Sequence, residues 1–136
     1  MKFDSFCYLA SDKAMTWSEA QAYCKELGGE LVKITNVREN DFVLALARKV
    51  APSLKLIWIG LKWDSTAKAY FWSDFSDPTY KNWAPNEPNG NANEPCSNMW
   101  TGDTGHLPQR ASGYWNDLTC GVHSNWASGL VCKRLP

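Results

Sequence analysis

The sequence predicts an α+β fold: two helices early in the chain, short strands around them, and a long, irregular binding region late. Three observations predict it. Helical apolar spacing with capping signals occurs twice, and both stretches precede Pro52. Short apolar runs bounded by polar turns recur on either side of them. Residues 73–119 then run with little periodicity but much Trp, Pro, Gly, Asn and Cys, a composition that argues for an ordered loop rather than disorder. Short strands around early helices, with no internal repeat, linker or second domain, read as one α+β domain over residues 1–136.

Each element has its own signal. Residues 3–9 alternate loosely and suit an edge strand. Thr16 stands three residues before Glu19, a capping box, and Ala20, Tyr23, Cys24 and Leu27 follow as an apolar stripe at helical spacing. The Gly28-Gly29 pair stops that helix. Residues 31–34 make a short strand. A second helix is expected from Thr35 or Asn36, its cap supported by Glu39 and its apolar face formed by Phe42, Val43 and Leu46. The run LIWIGL at 56–61 is apolar throughout, as a buried strand requires. Residues 70–72 and 128–133 complete the strands.

Composition excludes several classes of function. A chain of 136 residues with 14 basic and 14 acidic side chains has no net charge and no polybasic tract, so the electrostatic footprint of a nucleic-acid binder is missing. No apolar run is long enough to span a membrane. The first ten residues, MKFDSFCYLA, are too short and polar for a signal peptide. Cysteines stand at 7, 24, 96, 120 and 132 with no C-x-x-C pair, which points away from zinc and towards a disulfide framework in an oxidising compartment; their connectivity stays open at this level.

The chemistry gathers in two stretches, WAPNEPNGNANEPC at 83–96 and GYWNDLTC at 113–120. Glu87, Asn89 and Glu94 in the first, with Asn116 and Asp117 in the second, are all hard oxygen donors. They lie on segments too rich in Pro, Gly and Asn for helix or central strand. Hard oxygens on loops suit calcium, which takes about 6–8 of them at roughly 2.3–2.6 Å. His106 and His123 are too isolated for a zinc triad, and Trp58 and Trp115 sit in motifs that read as core.

From Phe6 to Lys133 the chain resembles the C-type lectin-like domain family. The resemblance rests on CY at 7–8, W-x-x-A-x-x-x-C at 17–24, GG-x-LV at 28–32 and WIGL at 58–61. It continues through NWAPNEPN at 82–89, E-x-C at 94–96, WND-x-x-C at 115–120 and VC at 131–132, all in the family's order. It implies the C-type lectin-like fold, with two helices, small antiparallel sheets, a calcium-binding loop region and the bridges Cys24–Cys132 and Cys96–Cys120. In the chain-entropy view a loop of about a hundred residues contributes roughly 4.7 kcal/mol and one of about 25 roughly 3.5. Cys7 is then odd. It is left as a free thiol, as a link to another chain in an oligomer, or as half of a bridge to an upstream residue.

The resemblance further implies that Glu87, Asn89, Glu94, Asn116 and Asp117 bind one Ca²⁺ and, with it, the sugar. The Glu87–Pro88 bond is expected to be cis. E-P-N at 87–89 resembles members that take mannose, glucose, N-acetylglucosamine and fucose through equatorial vicinal 3- and 4-hydroxyls; members with Q-P-D take galactose. The chain departs from the family pattern in places. The link from Asn89 to Glu94 is about one residue short, and Gly90 and Pro95 replace acids of a second calcium site, leaving Asp64 alone. That auxiliary site is therefore expected to be absent or weak. The link at 97–114 reads as an insertion in which Trp100, His106 and Arg110 are candidates to touch extended glycan.

The expected function is thus calcium-dependent binding of mannose-type glycans, secreted or displayed on the cell surface. The alternative is a module of the same fold that binds a protein or other non-sugar ligand, with calcium ordering the loops. An enzyme is not expected: carboxylates saturated by calcium are poor general acids, and no activated nucleophile is visible.

Overall fold

The structure is a computed structural model that describes residues 1–102, 112–122 and 127–136. Its strands are β1 (Lys2–Phe3), β2 (Phe6–Ser11), β3 (Glu30–Leu31), β4 (Leu56–Asp64), β5 (Ala69–Trp72), β6 (Cys96–Trp100), β7 (Trp115–Leu118) and β8 (Ser128–Arg134). Among the described residues its helices are α1 (Trp17–Glu26) and α2 (Val37–Val50), with one 3-10 turn at Asn91–Asn93.

Both helices begin where their caps require. Thr16 Oγ1 accepts from the Glu19 N–H and Glu19 Oε1 accepts from the Thr16 N–H, a reciprocal box that satisfies two donors otherwise orphaned at the start of α1. The helix ends at Leu27, and Gly28 takes φ 84°, a left-handed turn that costs glycine little. At α2 the Asn36 side chain caps the Glu39 N–H. Glu39 itself accepts from the Thr35 backbone N–H and hydroxyl, so it supports the helix start through one of the two positions the sequence suggested.

Among the described residues the strands form one connected eight-stranded sheet in the order β1-β2-β8-β4-β6-β7, with β3 beside β8 and β5 beside β4. The antiparallel ladders expected from the sequence are continuous because β4 and β8 join them in parallel, Ile57 opposite Gly129. β2 and β8 pair antiparallel, and Cys24–Cys132 ties α1 to β8, so the two ends of the chain meet. Cys96–Cys120 links the start of β6 to the segment after β7. Cys7 is a half-buried free thiol.

One core cluster packs α2 against the sheet through Val43, Leu46, Ile57, Ile59 and Trp115. A second packs α1 through Trp17, Ala20 and Cys24 against Trp58 and Leu130. Trp58 and Trp115 are fully buried. Their indole N–H groups donate to Met15 O and Asn40 Oδ1, so neither ring carries an unpaired donor into the core.

The expected strand at 3–9 is split into β1 and β2, that at 31–34 shortens to β3, and the long irregular region also differs from the sequence reading. Residues 73–119 contain β6 and β7, and β6 takes the first four residues of the stretch 97–114 that reads as an insertion. Every residue of β6 is buried, including Ser97 and Asn98, so apolar alternation was never available as a signal there. Their polar groups are satisfied across the sheet: Ser97 Oγ donates to Leu61 O and Asn98 Nδ2 to Ser128 Oγ.

Candidate functional site

The segment after Trp83 is stitched to β7 before it reaches the site. Trp115 N–H donates to Asn82 O and Ala84 N–H to Trp115 O. A turn then closes from Glu87 N–H to Ala84 O. Asn86 supplies the φ of 68° that this turn needs, a conformation Asn tolerates better than most residues. The Glu87–Pro88 peptide is cis, as expected. After Asn89 the chain folds into the 3-10 turn at Asn91–Asn93 and returns through Glu94 and Pro95 into β6.

This path brings the predicted residues together. Glu87, Asn89, Glu94, Asn116 and Asp117 all line one open cleft of about 330 Å³. Asn116 and Asp117 come from β7, placed side by side across from Asn98 and Ser97 of β6. Asn116 Nδ2 donates to Asn98 Oδ1 at 3.3 Å, which fixes which end of the amide is oxygen. Asp117 is buried, and its carboxylate accepts the Asn89 N–H at 3.1 Å and the Gly90 N–H at 2.8 Å. One carboxylate therefore pins the loop to the sheet.

Residues 13–134 match the Lectin C-type domain family. The chain belongs to that family. It is 33% identical over 136 residues to the mouse low affinity immunoglobulin epsilon Fc receptor, covering 99% of this chain and 36% of the receptor, so this lectin domain spans about a third of that relative's length. Among solved structures it resembles the cow C-type carbohydrate-recognition domain of CD23 in the presence of a GlcNAc2Man3 oligosaccharide. Identity there is 32% and the TM-score 0.77, over 98% of this chain and 91% of that one. It also resembles a calcium-independent type II antifreeze protein, at 25% identity and TM-score 0.79, over 99% of this chain and 90% of that one.

The electrostatics of this lectin domain's cleft are those of crowded carboxylates, with no Lys or Arg among the described residues that line it. Burial first, then hydrogen bonding with and charge on Asp117, and lastly the Glu94 charge, push the Glu87 carboxyl up to about 8; the Asp117 backbone opposes this without offsetting it. Glu87 Oε2 is buried with no hydrogen-bond partner. Burial, with the charge and hydrogen bond of Asp117, likewise raises the Tyr70 hydroxyl above its ordinary 10.0, so it remains a donor. Among the described residues no three His, Cys, Asp or Glu side chains form a metal-holding cluster by themselves. The donor set here is mixed, with two Asn amides between three carboxylates. Hard oxygens, an orphaned buried carboxylate oxygen and a shared open cleft together fit a calcium ion.

The remaining sequence candidates are placed as follows. Trp100 lines the cleft and is 5% exposed, a wall rather than a projecting contact. Asp64 Oδ1 accepts from the Thr66 and Ala67 N–H groups and so serves its own turn. His106, Arg110 and His123 lie outside the described residues. Two residues at the site had no signal in the sequence: Tyr70, whose hydroxyl lies 3.1 Å from Glu94 O and 3.3 Å from Asp117 Oδ2, and Asn98. Both act across strands, and only the pairing of strands reveals them.

Proposed function

We propose that residues 1–136 act as one calcium-dependent carbohydrate-recognition domain for mannose-type glycans, secreted or displayed on the cell surface. The observation that supports this is the convergence of Glu87, Asn89, Glu94, Asn116 and Asp117 on one cleft, with a buried Glu87 oxygen that lacks a donor. These five residues would hold Ca²⁺, which supplies a hard Lewis acid able to accept hydroxyl oxygens beyond the protein's own ligands. The carboxylates of Glu87 and Glu94 accept hydrogen bonds from two vicinal sugar hydroxyls, and the Asn89 and Asn116 amides donate to the same hydroxyl oxygens. Every polar group at the contact is then paired, and a sugar whose hydroxyls point elsewhere leaves buried groups unpaired at a cost. The E-P-N order at 87–89 places the acid before the amide, which is the basis for expecting equatorial 3- and 4-hydroxyls.

Carboxylates engaged by a cation are weak proton donors, so the site is read as binding and not catalytic. Among the described residues no helix is long and apolar enough to cross a membrane. A single shallow site binds monosaccharide weakly, so avidity requires several copies; a disulfide through the free thiol of Cys7 is one route to them.

A second reading is favoured by the likeness to the calcium-independent antifreeze protein. In it the same scaffold binds a protein or other non-sugar ligand, and calcium at most orders the loops. Binding to immobilised mannose separates the two. Retention that needs calcium, is released by chelator or free mannose and survives free galactose supports the lectin reading; no retention with calcium present overturns it.

A further inference from the structure

The Tyr70 hydroxyl reaches both halves of the cleft. It lies 3.1 Å from the backbone carbonyl of Glu94, on the loop, and 3.3 Å from Asp117 Oδ2, on β7. The ring that carries it is 9% exposed and held on two sides, with ring centroids 5.3 Å from Trp63 and 5.1 Å from Trp83. Trp63 belongs to β4 and pairs with Tyr70 across the β4–β5 ladder; Trp83 bridges to Trp115 at the start of β7. The hydroxyl is therefore aimed by aromatic packing from β4 on one side and from Trp83, where the loop segment leaves β7, on the other.

From this we infer that Tyr70 is a positioning residue for the cation and sugar site, a tether from the rigid β4–β5 hairpin that presets the spacing between Glu94 and Asp117. This deepens the proposed function and rests on it. A phenol has one proton and here faces two acceptors, so that proton is shared between Glu94 O and Asp117 Oδ2. Asp117 Oδ2 receives that donor together with the Asn89 and Gly90 N–H groups, and the three fix the direction in which the carboxylate faces. Outer partners of this kind orient ligands and set metal affinity, and losing one typically costs roughly 10–100-fold in affinity.

The test is Tyr70→Phe, which keeps the ring in its stack and removes the oxygen. Three quantities are read: the dissociation constant for Ca²⁺ alone by calorimetry, the melting midpoint in chelator, and hydrogen exchange of the Asn89 and Gly90 amides in chelator. The expected result is a Ca²⁺ dissociation constant raised about tenfold, a midpoint nearly unchanged, and faster exchange at both amides. Tyr8→Phe removes a buried hydroxyl that donates to Glu39, away from the cleft, so it should lower the midpoint without changing the dissociation constant. Equal Ca²⁺ affinity in Tyr70→Phe and native protein overturns the inference, and so does an equal loss in Tyr8→Phe. If the native chain takes up no calcium, the proposed function falls; the tether is then decided by the amides alone, and exchange unaltered by Tyr70→Phe refutes it.

Discussion

Gly90 and Glu94 are packed so closely that a Cβ on residue 90 would lie 2.4 Å from Glu94 Oε1 and 2.5 Å from Glu94 Cβ. The backbone at Gly90 has φ −116°, open to any residue, so space and not conformation demands glycine. The short link between Asn89 and Glu94 creates that demand: the 3-10 turn folds the Glu94 side chain back over Gly90. Gly90→Ala should push Glu94 out of place and weaken Ca²⁺ binding by about tenfold or more, as a displaced ligand would. Calorimetric titration measures it, and unchanged affinity would show that Glu94 is not a ligand in the folded loop.

The sugar preference should follow residues 87 and 89. Both line the cleft, and in the proposed function one accepts while the other donates to the same pair of hydroxyls. Glu87→Gln with Asn89→Asp reverses acid and amide while keeping the donor atoms hard. The double variant should still bind Ca²⁺ but elute from mannose more readily and be competed by galactose. A sugar profile identical to the native one would remove the assigned role of this pair.

How much of this was legible beforehand varied with the reach of the interactions. Both helices could be placed from Thr16–Glu19 and Asn36–Glu39, because capping is local and the partners are three residues apart. The five cleft residues could be named from loop composition and the family resemblance. Strands β6 and β7 carry no apolar signal because their buried positions include Ser97 and Asn98, whose partners stand on other strands, and Asp117, whose backbone partners stand on the loop. Tyr70 reads in the sequence as one more strand aromatic. Its role depends on two acceptors that lie 24 and 47 residues away along the chain.

Glu39 was read as a cap residue, but its burial makes it the centre of a charged network. It is 3% exposed, and Oε2 accepts from both the Tyr8 hydroxyl and the Lys133 ammonium at 2.5 Å. Lys133 also donates to Lys33 O and lies 4.3 Å from the Phe6 ring centroid. The network joins β2, α2 and β8 beneath the chain ends. Lys133→Met leaves a buried carboxylate without its counter-charge, and breaking such a pair costs about 3–5 kcal/mol. Urea unfolding should show that loss, and adding Glu39→Gln to Lys133→Met should recover part of it. A loss below about 1 kcal/mol would mean that water replaces the ammonium and that the pair behaves as a surface bridge.

The same network sets the acid limit of stability. Burial alone would raise the Glu39 carboxyl, but hydrogen bonds from Lys133, Tyr8 and the Thr35 backbone, with the Lys133 charge, outweigh it and hold it below its ordinary 4.5. Asp74 is also raised slightly by burial, yet the Ser76 hydroxyl and N–H and the Lys33 ammonium bring it from 3.8 down to about 2. Both groups are depressed in the folded chain, so as pH falls the unfolded chain binds their protons first. Their contribution is complete above 4.5, and it is lost as pH drops below 4.5 for Glu39 and from 3.8 through about 2 for Asp74. Asp74 is 41% exposed, so solvent screening makes its share the smaller one. Measured in chelator, the urea midpoint should fall steadily as pH drops from about 4.5 towards about 2, below the range in which Glu87, raised to about 8, lowers stability as pH rises. Glu39→Gln should start lower and lose most of that slope, while Asp74→Asn should flatten only its lower part. A native-like slope in Glu39→Gln would place the acid sensitivity elsewhere in the molecule.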